Sequence, residues 1–270
     1  MTRTLLNEDI AMILTLKIER FDPGADRSAY FREYTVEAEE SDRVLDLLMK
    51  VKMFQDGTLA FRKSCAHGVC GSDAMTINGR ERLACKTLVR DVVKGSGDVI
   101  TIQPLRTLPV QRDLMVDQAK FFAVYRSVKP FLINEEPVKE KERVQLPEER
   151  AKFDDATNCI LCASCYSACP VIREDKRPPD KSPGTPDESR GTTGSSGFLG
   201  PAAIVQAARF LDDSRDRGFE ARFDVLDAPN GVWPCENHYQ CTVVCPRGIK
   251  VTKLINLTKR RLKEYRNSKS

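Results

Sequence analysis

The sequence predicts an α+β chain of two domains, a strand-rich first part and a mainly helical second part. Three observations carry this. Residues 12–20 alternate apolar Leu14, Leu16 and Ile18 with polar Thr15, Lys17 and Glu19, the period of a half-buried strand. From about Leu114 onward the pattern turns helical, over Met115–Val128 and Leu199–Leu211. Between the two lie Pro104 and Pro109, which discourage either regular structure and place the boundary within Pro104–Gln111, giving domains 1–110 and 111–270.

After the first strand, Asp22, Pro23 and Gly24 supply a turn, and Tyr30–Val36 reads as the hairpin partner. Asp42–Met53 sets Val44, Leu45, Leu47, Leu48 and Val51 at helical spacing, with Ser41 or Asp42 as cap. Short strands around Ala74–Ile77 and Asp98–Ile102 complete the layered α+β pattern. In the second part Pro201 takes an early helical position, where its missing N–H costs little. Residues 176–197 carry no apolar side chain apart from proline and read as a flexible surface insertion or, alternatively, a partner-binding loop. Thr252–Arg266 interleaves Leu254, Ile255, Leu257 and Leu262 with basic residues, either a solvated face or one that touches anionic lipid heads.

Charge and length exclude several classes. The net charge of +4, from 43 basic and 39 acidic side chains, leaves no nucleic-acid footprint. The richest apolar run, Phe121–Ile133, is interrupted by Arg126 and Lys129 and is too short to span a bilayer. Glu8 and Asp9 near the start, without a long apolar core, fit neither a secretory signal nor a mitochondrial presequence, so the protein is expected to stay where it is made. Ten cysteines in such a chain point to metal rather than disulfides. The two histidines, His67 and His238, leave little scope for nucleophilic triads.

The cysteines fall into patterns. Cys65, Cys70, Asp73 and Cys85 form C-x4-C-x2-D-x11-C, the plant-type two-iron spacing with aspartate at the third position. Carboxylate ligates iron, although thiolate is the softer donor. Gly68 and Gly71 suit a tight loop around sulfur. A [2Fe–2S] cluster is the expectation, with a zinc site or an incidental loop as the alternative. His67, between two of these positions, either tunes a potential or is a solvated loop residue.

Cys159, Cys162, Cys165 and Cys169-Pro170 make the ferredoxin run C-x2-C-x2-C-x3-C-P. Cys235, His238, Cys241 and Cys245-Pro246 repeat it with histidine at the second position. In two-cluster ferredoxins the fourth cysteine serves the other cluster, so crossing the runs assigns Cys159, Cys162, Cys165 and Cys245 to a [4Fe–4S] site. Cys169, Cys235 and Cys241 remain, three thiolates that suit [3Fe–4S] and use up all ten cysteines. His238 reads either as a further ligand or as a neighbour that does not ligate.

These motifs, together with Ile204–Asp216 (Ile-Val-Gln-Ala-Ala-Arg-Phe-Leu-Asp-Asp-Ser-Arg-Asp), resemble the iron–sulfur subunit of the complex II family, succinate dehydrogenase and fumarate reductase, over roughly residues 12–265. The resemblance implies an N-terminal β-grasp [2Fe–2S] ferredoxin-like domain followed by a helical two-cluster ferredoxin-like domain. It also implies partners: an FAD-containing flavoprotein subunit, where substrate is oxidised, and one or more membrane-anchor subunits. Electrons would pass singly through the three clusters to a membrane quinone, on the cytoplasmic face of a prokaryotic inner membrane. Asp73 matches those family members that carry aspartate at this position. For the quinone site Pro170 matches, Arg247 resembles the family's basic residue beside the three-iron cluster, and Trp233 precedes Cys235, where it packs either near that site or in the core. The chain departs from the family in reading Val171-Ile172-Arg173 after Cys169-Pro170, where many members have a serine and then a tryptophan. The leading reading is a succinate:quinone oxidoreductase subunit. The alternatives are the fumarate-reducing counterpart and, from another class, a zinc-stabilised adaptor.

Overall fold

The computed structural model describes residues 11–138, 141–173 and 197–269. The opening segment with Glu8 and Asp9, and the expected insertion apart from Gly197, lie outside them. The described residues up to Val116 form one compact unit and those from Asp117 a second.

In the first unit five strands pair in the order β2-β1-β5-β3-β4: β1 Met12–Arg20, β2 Tyr30–Ala38, β3 Ala74–Ile77, β4 Arg80–Leu83 and β5 Val99–Gln103. β1 runs antiparallel to β2, with Leu14 opposite Val36, and parallel to β5, with Leu16 opposite Ile100. Leu14, Leu16 and Ile18 are fully buried, as their alternation requires. Helix α1, Val44–Phe54, lies between β2 and β3 in the chain and buries Val44, Leu45, Leu47, Leu48 and Val51, which completes the β-grasp arrangement. Its cap is Arg43 rather than Ser41 or Asp42: the Arg43 N–H donates to Asp46 Oδ2 at 3.0 Å, while Asp42 Oδ2 accepts from Lys50 at 2.9 Å.

Two elements depart from the sequence reading. β4 is hidden there by its charged residues, Arg80, Glu81 and Arg82, yet it pairs antiparallel with β3 across Asn78-Gly79, both at positive φ. The expected helix over Met115–Val128 starts only at Ala119, as α2 Ala119–Ser127. Met115–Val116 instead forms strand β7, paired with β6 at Val110–Arg112. The cause is Asp113, buried in the first unit, where its Oδ1 accepts from Arg20 Nε at 2.9 Å and its Oδ2 from the Ala60 N–H at 2.7 Å.

Arg20 is the centre of this anchor. Its guanidinium also donates to Asp56 Oδ2 at 2.6 Å, to Thr58 Oγ1 at 3.0 Å and to the Tyr34 hydroxyl. The end of β1 is thereby tied to residues 56–60, the stretch that enters the first cysteine loop. Burial pushes the Asp56 carboxyl up, but hydrogen bonds from Thr58, Tyr34 and Arg20 outweigh it and hold the group well below the usual carboxylate range.

The second unit is built around the helix Gly200–Leu211, buried along its length except at Arg209. The C-terminal helix Val251–Lys269 packs on it with Val251, Leu254, Ile255 and Leu262. Arg222, fully buried, is paired with Asp216 at 2.8 Å and donates to the carbonyls of Lys129 and Phe131, which fixes the 129–131 turn. Along the C-terminal helix, Arg261, Arg266 and Lys269 form ion pairs with Asp212, Asp227 and Glu220, so part of the basic stretch is engaged within the unit. Among the described residues no helix is long and apolar enough to cross a membrane.

Candidate metal centres

The first centre is a loop wound around one sulfur. The backbone N–H groups of His67, Val69 and Cys70 lie 3.5, 3.4 and 3.3 Å from Cys65 Sγ and donate to it. These donors pull the Cys65 thiol down to about 6, His67 contributing most. The winding needs left-handed backbone at Ala66 (φ 57°), Gly68 (φ 80°) and Gly71 (φ 68°). Gly68 has a second constraint, since a Cβ there would fall 2.3 Å from Cδ of Lys86. Arg43 closes the loop from the start of α1, donating to the Ala66 carbonyl at 2.8 Å.

Asp73 and Cys85 form the buried side of this centre. Asp73 Oδ2 accepts the Cys85 N–H at 2.6 Å, while Oδ1 is buried with no hydrogen-bond partner. A buried carboxylate oxygen left unpaired costs on the order of 1–3 kcal/mol or more. The Cys85 thiol is pushed up to about 12, first by burial and then by the neighbouring Asp73 carboxylate. An orphan oxygen and a thiol that resists ionisation in water's absence both fit a site completed by a cation, which deprotonates thiols outright.

The second unit gathers its seven cysteines at two cavities. One, of about 380 Å³ including its mouth, is lined by Cys159, Cys162, Cys165 and Cys245, with Ala202, Val205, Ile249 and Val251. The other, of about 310 Å³, is lined by Cys169, Cys235 and Cys241, with Pro170, Phe198, His238, Thr252 and Ile255. Thiols and apolar side chains dominate the exposed walls of both, a poor water site and a good one for a sulfur-ligated group. Burial pushes the Cys159, Cys162, Cys165 and Cys241 thiols above their ordinary value and Cys169 up to about 11.

The sequence repeat is also a backbone repeat. Leu161 and Ala163, two and four residues after Cys159, have φ of 52° and 63°; Asn237 and Tyr239, two and four after Cys235, have 59° and 61°. Left-handed backbone at non-glycine residues costs about 1–3 kcal/mol each and clusters at functional sites. A one-turn helix follows each pair, Ser164–Ser167 and Gln240–Val243. His238 thus stands in its loop where Cys162 stands in the other. It lines the second cavity but is partly exposed, its Nε2 3.1 Å from Glu236 Oε2.

The remaining candidates separate. Pro170 lines the second cavity, whereas Arg247 lines the first, carried there by the adjoining Cys245-Pro246. Trp233 lines neither: its indole N–H donates to the Asp227 carbonyl at 3.1 Å and its ring lies beneath Lys263 and Arg266. Thr252, absent from the sequence-derived candidates, is in the wall of the second cavity, 3.4 Å from Cys241 Sγ. Among the described residues no three His, Cys, Asp or Glu side chains converge as a lone metal ion requires.

A β-grasp unit with a cysteine-aspartate loop, followed by a helical unit with two thiol-lined cavities, defines a multi-cluster iron–sulfur protein of ferredoxin type. Residues 15–123 match the model of a 2Fe-2S iron-sulfur cluster binding domain and residues 155–249 that of a 4Fe-4S dicluster domain. The chain is 37% identical over 244 residues to a succinate dehydrogenase iron-sulfur subunit of Coxiella burnetii, covering 90% of this chain and 94% of that one. It is 40% identical over 238 residues to a fumarate reductase iron-sulfur subunit of Mycobacterium tuberculosis, covering 87% of each. A solved structure of the Mycobacterium smegmatis Sdh1 complex in the apo form includes a chain that superposes with a TM-score of 0.78 at 28% identity, over 95% of this chain and 98% of that one. The chain belongs to the family of succinate dehydrogenase and fumarate reductase iron–sulfur subunits.

Proposed function

We propose that this chain is the electron-transfer subunit of a membrane succinate:quinone oxidoreductase. In this reading Cys65, Cys70, Asp73 and Cys85 hold a [2Fe–2S] cluster, Cys159, Cys162, Cys165 and Cys245 a [4Fe–4S] cluster, and Cys169, Cys235 and Cys241 a [3Fe–4S] cluster. The observation that carries it is Cys245, from the downstream run, in one cavity wall with the first three cysteines of the upstream run. When bound, the clusters supply one-electron carriers between the FAD of a flavoprotein subunit and a membrane quinone. The chain's own residues supply thiolates, N–H donors to sulfur and apolar walls that keep water away from the cofactors. Succinate is oxidised in the flavoprotein subunit, and an anchor subunit holds the assembly on the cytoplasmic face of a prokaryotic membrane.

Purification from membranes tests this. Iron, acid-labile sulfide, a flavoprotein and an anchor should accompany the chain, with succinate-dependent quinone reduction. A colourless zinc protein without partners would overturn it. The relative named as a fumarate reductase subunit supports a second reading, quinol:fumarate reduction through the same clusters. Rates measured in both directions with the native quinone decide between them.

A further inference from the structure

We propose that Thr252, oriented by Thr242, is a positioning residue that donates a hydrogen bond to Cys241 Sγ and raises the reduction potential of the three-iron cluster. The inference rests on the assignment of Cys241 to that cluster. Thr252 Oγ1 lies 3.4 Å from Cys241 Sγ and 3.0 Å from Thr242 Oγ1, and the Thr252 N–H donates to Thr242 Oγ1 at 3.0 Å. The contact with sulfur is shielded from water, with Thr252 2% and Cys241 8% exposed, while Thr242 is half-buried.

Helix geometry explains why this threonine is free to act on sulfur. Later in the same helix Thr258 turns its hydroxyl back onto the Leu254 carbonyl at 2.9 Å, the usual habit of a mid-helix threonine. Thr252 lies in the first turn of Val251–Lys269, where backbone N–H groups lack intrahelical partners. Thr242 accepts one of these, and that bond fixes the Thr242 hydroxyl beside Thr252.

Ligation removes the sulfur as a donor. A metal-bound thiolate has no S–H and only accepts. In this arrangement the single Thr252 hydroxyl hydrogen goes to sulfur, and Thr242 donates the contact between the two hydroxyls. The chain runs Thr242 to Thr252 to Cys241. Reduction places added negative charge next to this sulfur, and in a low-dielectric wall an aligned O–H dipole favours the reduced form.

The test is an EPR-monitored redox titration of the three-iron signal in the purified complex. Thr252→Val, which replaces the hydroxyl by a methyl, should lower the reduced-to-oxidised ratio at fixed potential about tenfold, equivalent to about 59 mV for a one-electron couple. Thr252→Ser should restore the wild-type ratio, Thr242→Val should give a smaller shift of the same sign, and the two-iron cluster should not move. A wild-type potential in loaded Thr252→Val, or a serine variant that shifts as far as valine, overturns the inference. If Thr252→Val fails to load its cluster, an unshifted Thr242→Val overturns it instead. A wild-type complex with no three-iron signal overturns the ligand assignment and this inference with it, which distinguishes the two failures.

Discussion

Asp73 meets Cys85 through one carboxylate oxygen only: Oδ2 takes the Cys85 N–H at 2.6 Å, and Oδ1 is left buried without a partner. If Oδ1 is completed by iron, Asp73→Cys should keep the two-iron cluster and change its potential, because ligand type is a principal control. Asp73→Ala should lose that cluster and spare the other two. EPR-monitored titration checks both, and a spectrum and potential untouched by Asp73→Cys would place the residue outside the ligand set.

His238 lines the second cavity at the loop position that Cys162 occupies at the first. His238→Cys should therefore add a thiolate and convert the three-iron cluster to a four-iron one of lower potential. Iron counting reads the outcome directly. A four-iron signal from both sites in the wild type would sink the three-iron assignment and make His238 the leading candidate ligand.

Arg20 and Arg32 both contact Asp56, yet their side chains are 6% and 54% exposed. Arg20→Met should destabilise the first unit by about 3–5 kcal/mol, since it strands buried Asp56 and Asp113. Arg32→Met should cost under about 1 kcal/mol. Denaturant titrations followed by loss of the two-iron absorbance compare them. Equal effects would remove Arg20 as the anchor of the loop's entry.

The same cluster sets a pH dependence with a sign on each side. Asp56 is held below its unfolded value of about 3.9, so its stabilisation is present above that pH and disappears as pH falls through the folded value. Burial and the Asp56 hydrogen bond push Tyr34 up to about 12. Its contribution is complete below about pH 10 and disappears as pH rises through about 12. Tyr34→Phe should flatten the alkaline limb of a plot of unfolding midpoint against pH and, because the Tyr34 hydroxyl also donates to Asp56, make the acid limb shallower; an unchanged alkaline limb would contradict it.

Metal removal should affect the second unit first, because its core is packed around two cavities walled by buried thiols. Chelation should bring proteolysis within residues 117–270, and reloading should release protons as the raised thiols ionise. A cooperative thermal transition retained by the iron-free second unit would reject the idea.

The sequence by itself determined what depends on short spacings. Leu14, Leu16 and Ile18 read as one strand face because side chains alternate with a fixed period. The cysteine runs read as two crossed sites because their spacing repeats the two-cluster ferredoxin pattern, in which the fourth cysteine serves the other cluster. β4 escaped the sequence reading, because Arg80, Glu81 and Arg82 lack a strand's apolar alternation even though Asn78-Gly79 is a hairpin signal. Tertiary structure decided the rest. Arg20 and Asp113 are 93 residues apart, and no local pattern announces that they pair and convert the expected start of a helix into a strand. Arg247 is assigned to its cavity by the path of Cys245-Pro246, not by its charge. Thr252 looks like any helical threonine until packing brings its hydroxyl to Cys241. Hydrogen-bond partners distant in sequence are set by how elements pack, because a side chain's donors and acceptors are common to hundreds of residues and only proximity in three dimensions selects among them.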